Sequence, residues 1–404
     1  MEIFDSRAGR TVAQGSGYNA FIPDPLPPTP EIVFDNEMIH LLSQADIALG
    51  RLSGIADMLP NPDLFVAMYV RKEAVLSSQI EGIQSTLDEV LAAEHAGDAV
   101  QTKSIGEVVN YVSAMNYGID RLSTLPLSLR LIREIHACLM TGVRGEHKAP
   151  GAFRTTQNRI GPQGCTLATA SFVPPPVPDM TAALNNLESF MHDRSNLPLI
   201  VQCAIAHLQF ETIHPFLDGN GRVGRLLVAL MLHDSGVLTK PLLYISHYLN
   251  ANRIEYYDRL MDVRRNGNWE GWIKFFLTGV VRVGHEASET AKRIVAFRNG
   301  AQTKASTMGR NEFTLIDHLF RHPILDVRAA EKMLGVSFVT ANNTMNNLVK
   351  AGLVSQNNTG KRNRTYRFDA YLTLFDDPIP PEIPLYENAS GEMDGYVHAA
   401  QLPR

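Results

Sequence analysis

Residues 214–225 read His-Pro-Phe-Leu-Asp-Gly-Asn-Gly-Arg-Val-Gly-Arg, and the apolar run 226–232 follows directly. Gly219, Asn220 and Gly221 all tolerate positive φ, so successive amide groups can point into one concavity. The run behind them is a helix, which puts that concavity at a helix N-terminus. There, unpaired N–H groups and the positive dipole end favour an anion, above all a phosphate. Arg222 and Arg225 stand three apart on the first turn and face the same side. Two guanidinium forks beside an amide nest suit a polyphosphate better than a lone carboxylate. Asp218 brings the opposite charge into the loop, which makes sense if Mg²⁺ lies between it and the phosphates. His214 stands at the mouth, where an imidazole is a suitable general base near neutral pH. Taken singly, Gly-Asn-Gly is a turn, an arginine pair a solvated face and a histidine structural; their order within twelve residues argues otherwise. No GxxxxGK[ST] occurs, so this is not a Walker-type loop.

Outward from this loop the chain reads as helix. Apolar residues recur at helical spacing over 38–50, 62–80, 86–95, 104–122, 197–211 and 221–233. Ser85 and Asp88 form an N-cap signature that starts a new helix just after Gly82. The stretch 151–178, with Gly151, Gly161, Gly164 and Pro174–Pro176, reads as a loop or small β-hairpin between helices, placed as a substrate flap. Residues 1–35, with FIPDPLPPTP at 21–30, read as an extended surface segment. The helical stretch ends near Asn299, and AQTKASTMGRN at 301–311 reads as a linker. Helices at 312–321, 327–334 and 339–351, then a hairpin, predict a C-terminal winged helix-turn-helix. The proline-rich tail 376–404 reads as flexible.

Composition narrows the classes. With 404 residues, 45% hydrophobic and 20% charged, the chain has material for two or three domains. Lys and Arg total 37 against 42 Asp and Glu, a net charge of -5, which excludes a surface basic throughout. No uncharged apolar run is long enough to span a bilayer and no signal-peptide pattern opens the chain, so a cytoplasmic protein without a membrane partner is expected. Cys138, Cys165 and Cys203 form no CxxC pair, and neither a disulfide framework nor a cysteine zinc site is expected.

The segment HPFLDGNGRVGR resembles, without a departure, the signature HPFx[D/E]GNGRxxR of Fic-domain proteins, most of which are AMP-transferases. The stretch Gly151–Asn158 resembles the run before the Fic flap, and Ser171, Phe172 and Val173 resemble the flap itself. FIPDPLPP and EAVLSSQIEG are similar to the N-terminal region of bacterial members. The resemblance implies a mainly α fold: a Fic-type helical core with a small β-hairpin flap, plus the winged helix. It places an N-terminal leader and inhibitory region at 1–100, the catalytic core at 101–300, and the winged helix at 301–375. It implies a protein adenylyltransferase. ATP is the substrate, with AMP going to Ser, Thr or Tyr hydroxyls of a target protein or of the chain itself.

The roles follow residue by residue. His214 is the base, Asp218 holds Mg²⁺, and residues Gly219, Asn220, Gly221, Arg222, Val223, Gly224 and Arg225 bind the phosphates. Tyr248, Asn250, Tyr256 and Tyr257 are candidates for contacting adenine. Ser77-Ser78-Gln79-Ile80-Glu81-Gly82 is similar to the family's inhibitory motif [S/T]xxxE[G/N], with Ser77, Glu81 and Gly82 in its set positions. The resemblance then implies that Glu81 pairs with Arg225 and keeps it from the γ-phosphate, and in some members such a Glu also supports removal of AMP. Residues 324–369 hold seven Lys or Arg against three acids, with Lys361, Arg362 and Arg364 in the wing. The candidate recognition helix offers Asn342, Asn343, Asn346 and Asn347 but no basic residue before Lys350. DNA binding is therefore not favoured over protein docking or a homodimer. The alternative reading is a winged-helix regulator whose Fic region only senses nucleotide.

Overall fold

The computed structural model describes residues 5–58, 62–96, 102–193, 196–356 and 364–375. The chain opens with three strands, Asp5–Ser6 (β1), Gly9–Gln14 (β2) and Tyr18–Pro23 (β3), paired antiparallel in that order. This overturns the expectation of an extended surface leader. Ala20 and Phe21 are consecutive and so lie on opposite faces of β3, and both are buried, so the segment up to Pro23 is a sheet covered on both sides there. Gly9 permits it: a Cβ there would lie 2.3 Å from the Ile22 carbonyl.

Among the described residues eleven helices follow: α1 Asn36–Met58, α2 Pro62–Ile80, α3 Leu87–Ala96, α4 Lys103–Leu122, α5 Leu129–Met140, α6 Val177–His192, α7 Leu199–Ile213, α8 Asn220–Asp234, α9 Ile245–Ala251, α10 Arg253–Asn266 and α11 Trp269–Ser306. Every residue of α7 from Ile200 to Ile213 is buried, as a helix apolar on all sides must be. It lies at the centre, with α6, α8 and α11 packed on it. The cap of α3 sits one residue later than the sequence suggested. Thr86 Oγ1 accepts from the Glu89 amide and Glu89 Oε2 accepts from the Thr86 amide, a reciprocal capping box.

The largest departure is at the expected linker. Residues 301–306 continue α11, a helix of 38 residues, with Ala301 and Ala305 buried. The small residues that suggest a linker are the close-packing positions of a long helix. Beyond it come α12 Arg310–Leu319, β4 Ile324–Asp326, α13 Val327–Leu334, α14 Phe338–Lys350, β5 Ser355–Gln356, β6 Thr365–Arg367 and α15 Asp369–Leu372. The three strands form an antiparallel sheet in the order β4-β6-β5. Lys361 and Arg362, and the whole tail 376–404, lie outside the described residues.

This C-terminal unit is not separate from the helical body. Phe375 packs edge-on against Tyr69 of α2 and Tyr371, and Lys72 Nζ donates to its carbonyl at 2.8 Å. Arg367 grips Asp88 of α3 with both Nη atoms, at 2.7 and 2.8 Å.

Candidate active site

The loop between α7 and α8 is built from its own backbone outward. His214 ends α7 in the left-handed region, φ 49°, an unusual place for a residue with a Cβ. Such a conformation persists only where its surroundings over-determine it. Here Arg154 Nε and Asn158 Nδ2 both donate to the His214 carbonyl at 3.1 Å, and the Arg154 amide donates to Pro215 O at 2.8 Å. Asn220 then closes the loop. Its Oδ1 accepts from the Phe216 amide and its Nδ2 donates to the Phe216 carbonyl, each at 2.8 Å. The Phe216 ring is fully buried and stacked on His136, with centroids 3.7 Å apart. His136 accepts from the Gly151 amide at Nδ1, so its Nε2–H donates to the Asp218 carbonyl at 3.0 Å. One ring thereby ties the start of the flap to the loop.

Gly219 caps α8 with φ 75°, where a Cβ would meet Met140 Sδ at 2.9 Å. A Cβ on Gly221 would sit 2.7 Å from Glu81 Oε1, so only glycine lets that carboxylate approach the helix start. Asp218 Oδ1 accepts from the Gly219 amide and its Oδ2 from Lys148 Nζ, both at 2.8 Å. Burial alone would raise the Asp218 carboxyl, but Lys148 and the Gly219 amide prevail and hold it below its ordinary value.

Glu81 reaches both arginines. Its Oε1 lies 3.0 Å from Arg225 Nη2 and its Oε2 lies 3.1 Å from Arg222 Nε. Arg225 also donates to Ser77, Nε to Oγ at 2.7 Å and Nη2 to the carbonyl at 2.9 Å. Gly82, φ 85°, ends α2 and turns the chain so that Glu81 faces α8. Arg222 is buried against Glu107 of α4, Nη1 to Oε2 at 3.0 Å. Both guanidiniums are thus already paired with carboxylates from helices far away in sequence.

Burial, then the nearby Arg264 and Arg154 cations, push the His214 imidazole down to about 3, so it is neutral at pH 7. Its Nδ1 is buried without a hydrogen-bond partner. Three residues earlier, burial drives the Glu211 carboxyl up to about 7, against the pull of Arg225. The Glu211 Oε1 also lacks a partner.

The flap leaves α5 through a loop and touches back on itself at one bridge, Ile160 with Phe172. Phe172 is buried under the Arg264 guanidinium, 4.0 Å from the ring centroid. Val173 is buried and its carbonyl accepts from the Phe21 amide of β3 at 2.9 Å. Ser171 alone of the three is exposed. The leader sheet therefore serves as the flap's backing.

Val223, Gly224, Tyr248 and Tyr256, four of the expected phosphate and adenine contacts, are buried. Val223 is buried in the core. The Gly224 carbonyl accepts from His207 Nδ1 at 2.8 Å, whose Nε2 in turn accepts from the Tyr256 hydroxyl. Tyr256 and Tyr248 are core residues, packed around Trp272 and Phe275. The tyrosine spacing on a helix cannot tell a pocket face from a core face. By contrast, Asn250 Nδ2 donates to Gln79 Oε1, and the half-exposed Tyr257 donates to the Ile80 carbonyl at 3.4 Å. Beside them is a pocket of about 450 Å³ lined by Gln79, Gly82, Ile83, Ser85, Asn250 and Arg253, among others.

His136, Lys148, Glu107 and Glu211 carry much of this site and were not singled out from the sequence. Glu107 alone left a trace, an acid among Ile105, Val108, Tyr111 and Met115 on the buried stripe of α4. Among the described residues no group of three or more His, Cys, Asp or Glu could hold a metal, and no helix is long and apolar enough to cross a membrane.

Parts of the chain are similar to known proteins. The Fic/DOC family N-terminal model matches residues 39–120 and the Fic/DOC family model matches residues 126–232. A probable protein adenylyltransferase of Aquifex aeolicus is 24% identical over 189 residues, 47% of this chain and 56% of that protein. Protein adenylyltransferase Fic of Drosophila grimshawi is 30% identical over 163 residues, 39% of this chain and 32% of that one. The matches thus span 56% and 32% of those relatives' lengths. In fold, a crystal structure of a Fic family protein from Desulfovibrio desulfuricans G20 is similar at a TM-score of 0.55. It is 20% identical, and the likeness covers 84% of this chain and 98% of that one. With its motif intact, the chain carries a region similar to the Fic/DOC family N-terminal model at 39–120 and one similar to the Fic/DOC family model at 126–232.

Proposed function

We propose that the chain is a protein adenylyltransferase that moves AMP from ATP to a Ser, Thr or Tyr hydroxyl, on a target protein or on itself. The observation that carries this reading is the loop itself. A neutral histidine, a carboxylate, a glycine-bounded helix N-terminus and two buried arginines converge there within twelve residues. The acceptor oxygen attacks the α-phosphorus and its proton passes to His214. The α–β bridge bond breaks, and pyrophosphate departs. The rest is charge stabilisation by groups already in place, as phosphoryl chemistry requires.

A polyphosphate at the helix start adds negative charge near His214, which raises the imidazole towards a useful basicity. Asp218 suits a Mg²⁺ whose other ligands are phosphate oxygens and water, since it is a single carboxylate at the rim of the anion nest. The ion would neutralise phosphate charge, and Lys148 holds the carboxylate until then. The pocket beside Gln79 and Asn250 is the seat for the adenosine.

Glu81 is the brake in this reading. A γ-phosphate needs Arg225, and Arg225 is committed to Glu81 and Ser77. Freeing one partner of a buried ion pair is worth kilocalories, so Glu81→Gly should raise self-labelling by α-labelled Mg-ATP about tenfold or more. His214→Ala should reduce that labelling by roughly 10²–10⁴ while the chain keeps its helical circular dichroism. Unchanged labelling in Glu81→Gly refutes the brake, and a His214→Ala chain that still transfers AMP refutes the base.

A further inference from the structure

Glu107 of α4 carries a buried charge that none of the roles above uses. It is 3% exposed, on a helix whose other buried residues include Ile105, Val108, Tyr111 and Met115. An apolar side chain would suit that face as well or better, since burying an ion pair rarely gains over good packing. The carboxylate is spent on Arg222, whose Nη1 donates to Oε2 at 3.0 Å. Its Oε1 lies 4.0 Å from Arg144 Nε, but that arginine is largely exposed. The second amino group of Arg222, Nη2, faces Met140 Sδ at 3.7 Å. Among the described residues, the carboxylates within 4 Å of Arg222 are Glu107 and Glu81.

The two carboxylates hold the guanidinium differently. Glu81 stands just past the end of α2, before the Gly82 turn, and is partly exposed, so it can withdraw. Glu107 is fixed within α4 and packed under Arg222, so it stays. Glu81 Oε2 lies 3.1 Å from Arg222 Nε, yet Nε is buried without a hydrogen-bond partner. The orientation of Arg222 is therefore set by Glu107 and Met140, on the Nη side. When Glu81 leaves, the cation keeps a counter-charge behind it, and the Nε edge loses the carboxylate that lies against it. A donor aimed in advance contributes most where charge develops, as on phosphate oxygens in the transition state. We infer that Glu107 is a positioning residue for the transfer: it holds Arg222 by the Nη1 edge, so that the Nε edge meets the nucleotide's phosphates once Glu81 withdraws.

The inference rests on the adenylyltransferase reading, and its test separates the two. In the full-length Glu81→Gly chain, self-labelling by α-labelled Mg-ATP gives a saturated rate and a half-saturating ATP concentration. Glu107→Gln, added to that chain, keeps the shape and an acceptor oxygen but removes the charge. The saturated rate should fall about tenfold. The half-saturating concentration should stay within about threefold or fall, because a negative charge near the nucleotide has gone. Arg222→Met should slow transfer at least as much. Adding Glu107→Gln to Arg222→Met should then cost no more than about a further twofold, since Glu107 acts only through Arg222. Should Glu107→Gln lose its helical circular dichroism, Glu107→Asp, which keeps the charge but draws it back by one methylene, should show the same split. An unchanged or faster saturated rate, a loss carried by the half-saturating concentration, or losses that multiply in the double variant would each overturn the inference. Absence of any label in the Glu81→Gly parent overturns the transferase reading instead.

Discussion

The loop between α7 and α8 and the C-terminal sheet both hold arginines in an otherwise mildly acidic chain, and they use them differently. In the loop, Arg222 and Arg225 are 1% and 2% exposed, and each meets a carboxylate from another helix. Burying such charges is tolerable only with partners in place, so the site is charge-compensated before any nucleotide arrives. In the C-terminal unit, Arg364 donates to Asn342 on α14, and Arg367 is held by Asp88 and Asp369. These pairs are partly solvated, with Asp88 53% exposed. They pin the sheet to α14 and to α3. Both side chains are spent on internal contacts, which leaves Arg364 and Arg367 poorly placed to meet a nucleic-acid backbone. A positive segment in sequence is therefore not yet a binding surface; what matters is which charges its neighbours have already met.

That contrast can be tested by perturbation, and the loop should be much the more sensitive side. Asn220→Ala removes two buried hydrogen bonds and leaves the Phe216 amide unpaired. It should lower stability by about 1–3 kcal/mol, read as a shift in denaturation midpoint, and reduce labelling by at least about tenfold. A variant with normal labelling would show that loop closure does not depend on this side chain.

Glu211 gives a smaller, pH-dependent effect. Its carboxyl titrates near 7 when folded against an ordinary 4.5, so between those values the unfolded chain holds fewer protons than the folded one. Its contribution to stability therefore falls as pH rises through that window. Glu211→Gln, which cannot ionise, should gain in Tm relative to the parent from about pH 4.5 to 7, with no further gain above. A gap that stays constant with pH would mean the carboxyl is already charged in the fold.

The smallest effect belongs to the other side of the comparison. Arg367→Ala breaks a fork that is 22% and 53% exposed at its two ends, so a loss of at most about 1 kcal/mol is expected, shrinking in high salt. A loss of several kilocalories would show that the C-terminal sheet is as tightly compensated as the loop.

Much of this was legible in the residues because the loop's chemistry is local. Positive-φ tolerance, a following helix and two arginines one turn apart are all properties of twelve consecutive positions. Where the residues set bounds, the helices were legible for the same reason, to within a few residues except at the ends of α1 and α11; α5, α6, α9 and α10 received no bounds. Other features were not local. The leader's strands are short, with Gly and Pro nearby, and the burial of Ala20 against Ala170 and Val173 exists only once the flap is beside it. Residues 301–306 look like a linker because small side chains serve both flexibility and close packing. The Tyr248 and Tyr256 rings read equally well as pocket or core.

By itself, then, the sequence determined a mainly helical chain, a glycine-bounded helix start preceded by a histidine, and a glutamate at the end of a separate N-terminal helical segment. Only the tertiary structure decided that Glu81 bridges both arginines, that Glu107 lies beneath Arg222, and that Arg154, Asn158 and His136 hold the loop in shape. It also decided that the leader backs the flap. The reason is physical: backbone preference and helical periodicity act over a few residues. The partner of a buried charge is chosen by packing, which brings together residues more than a hundred positions apart.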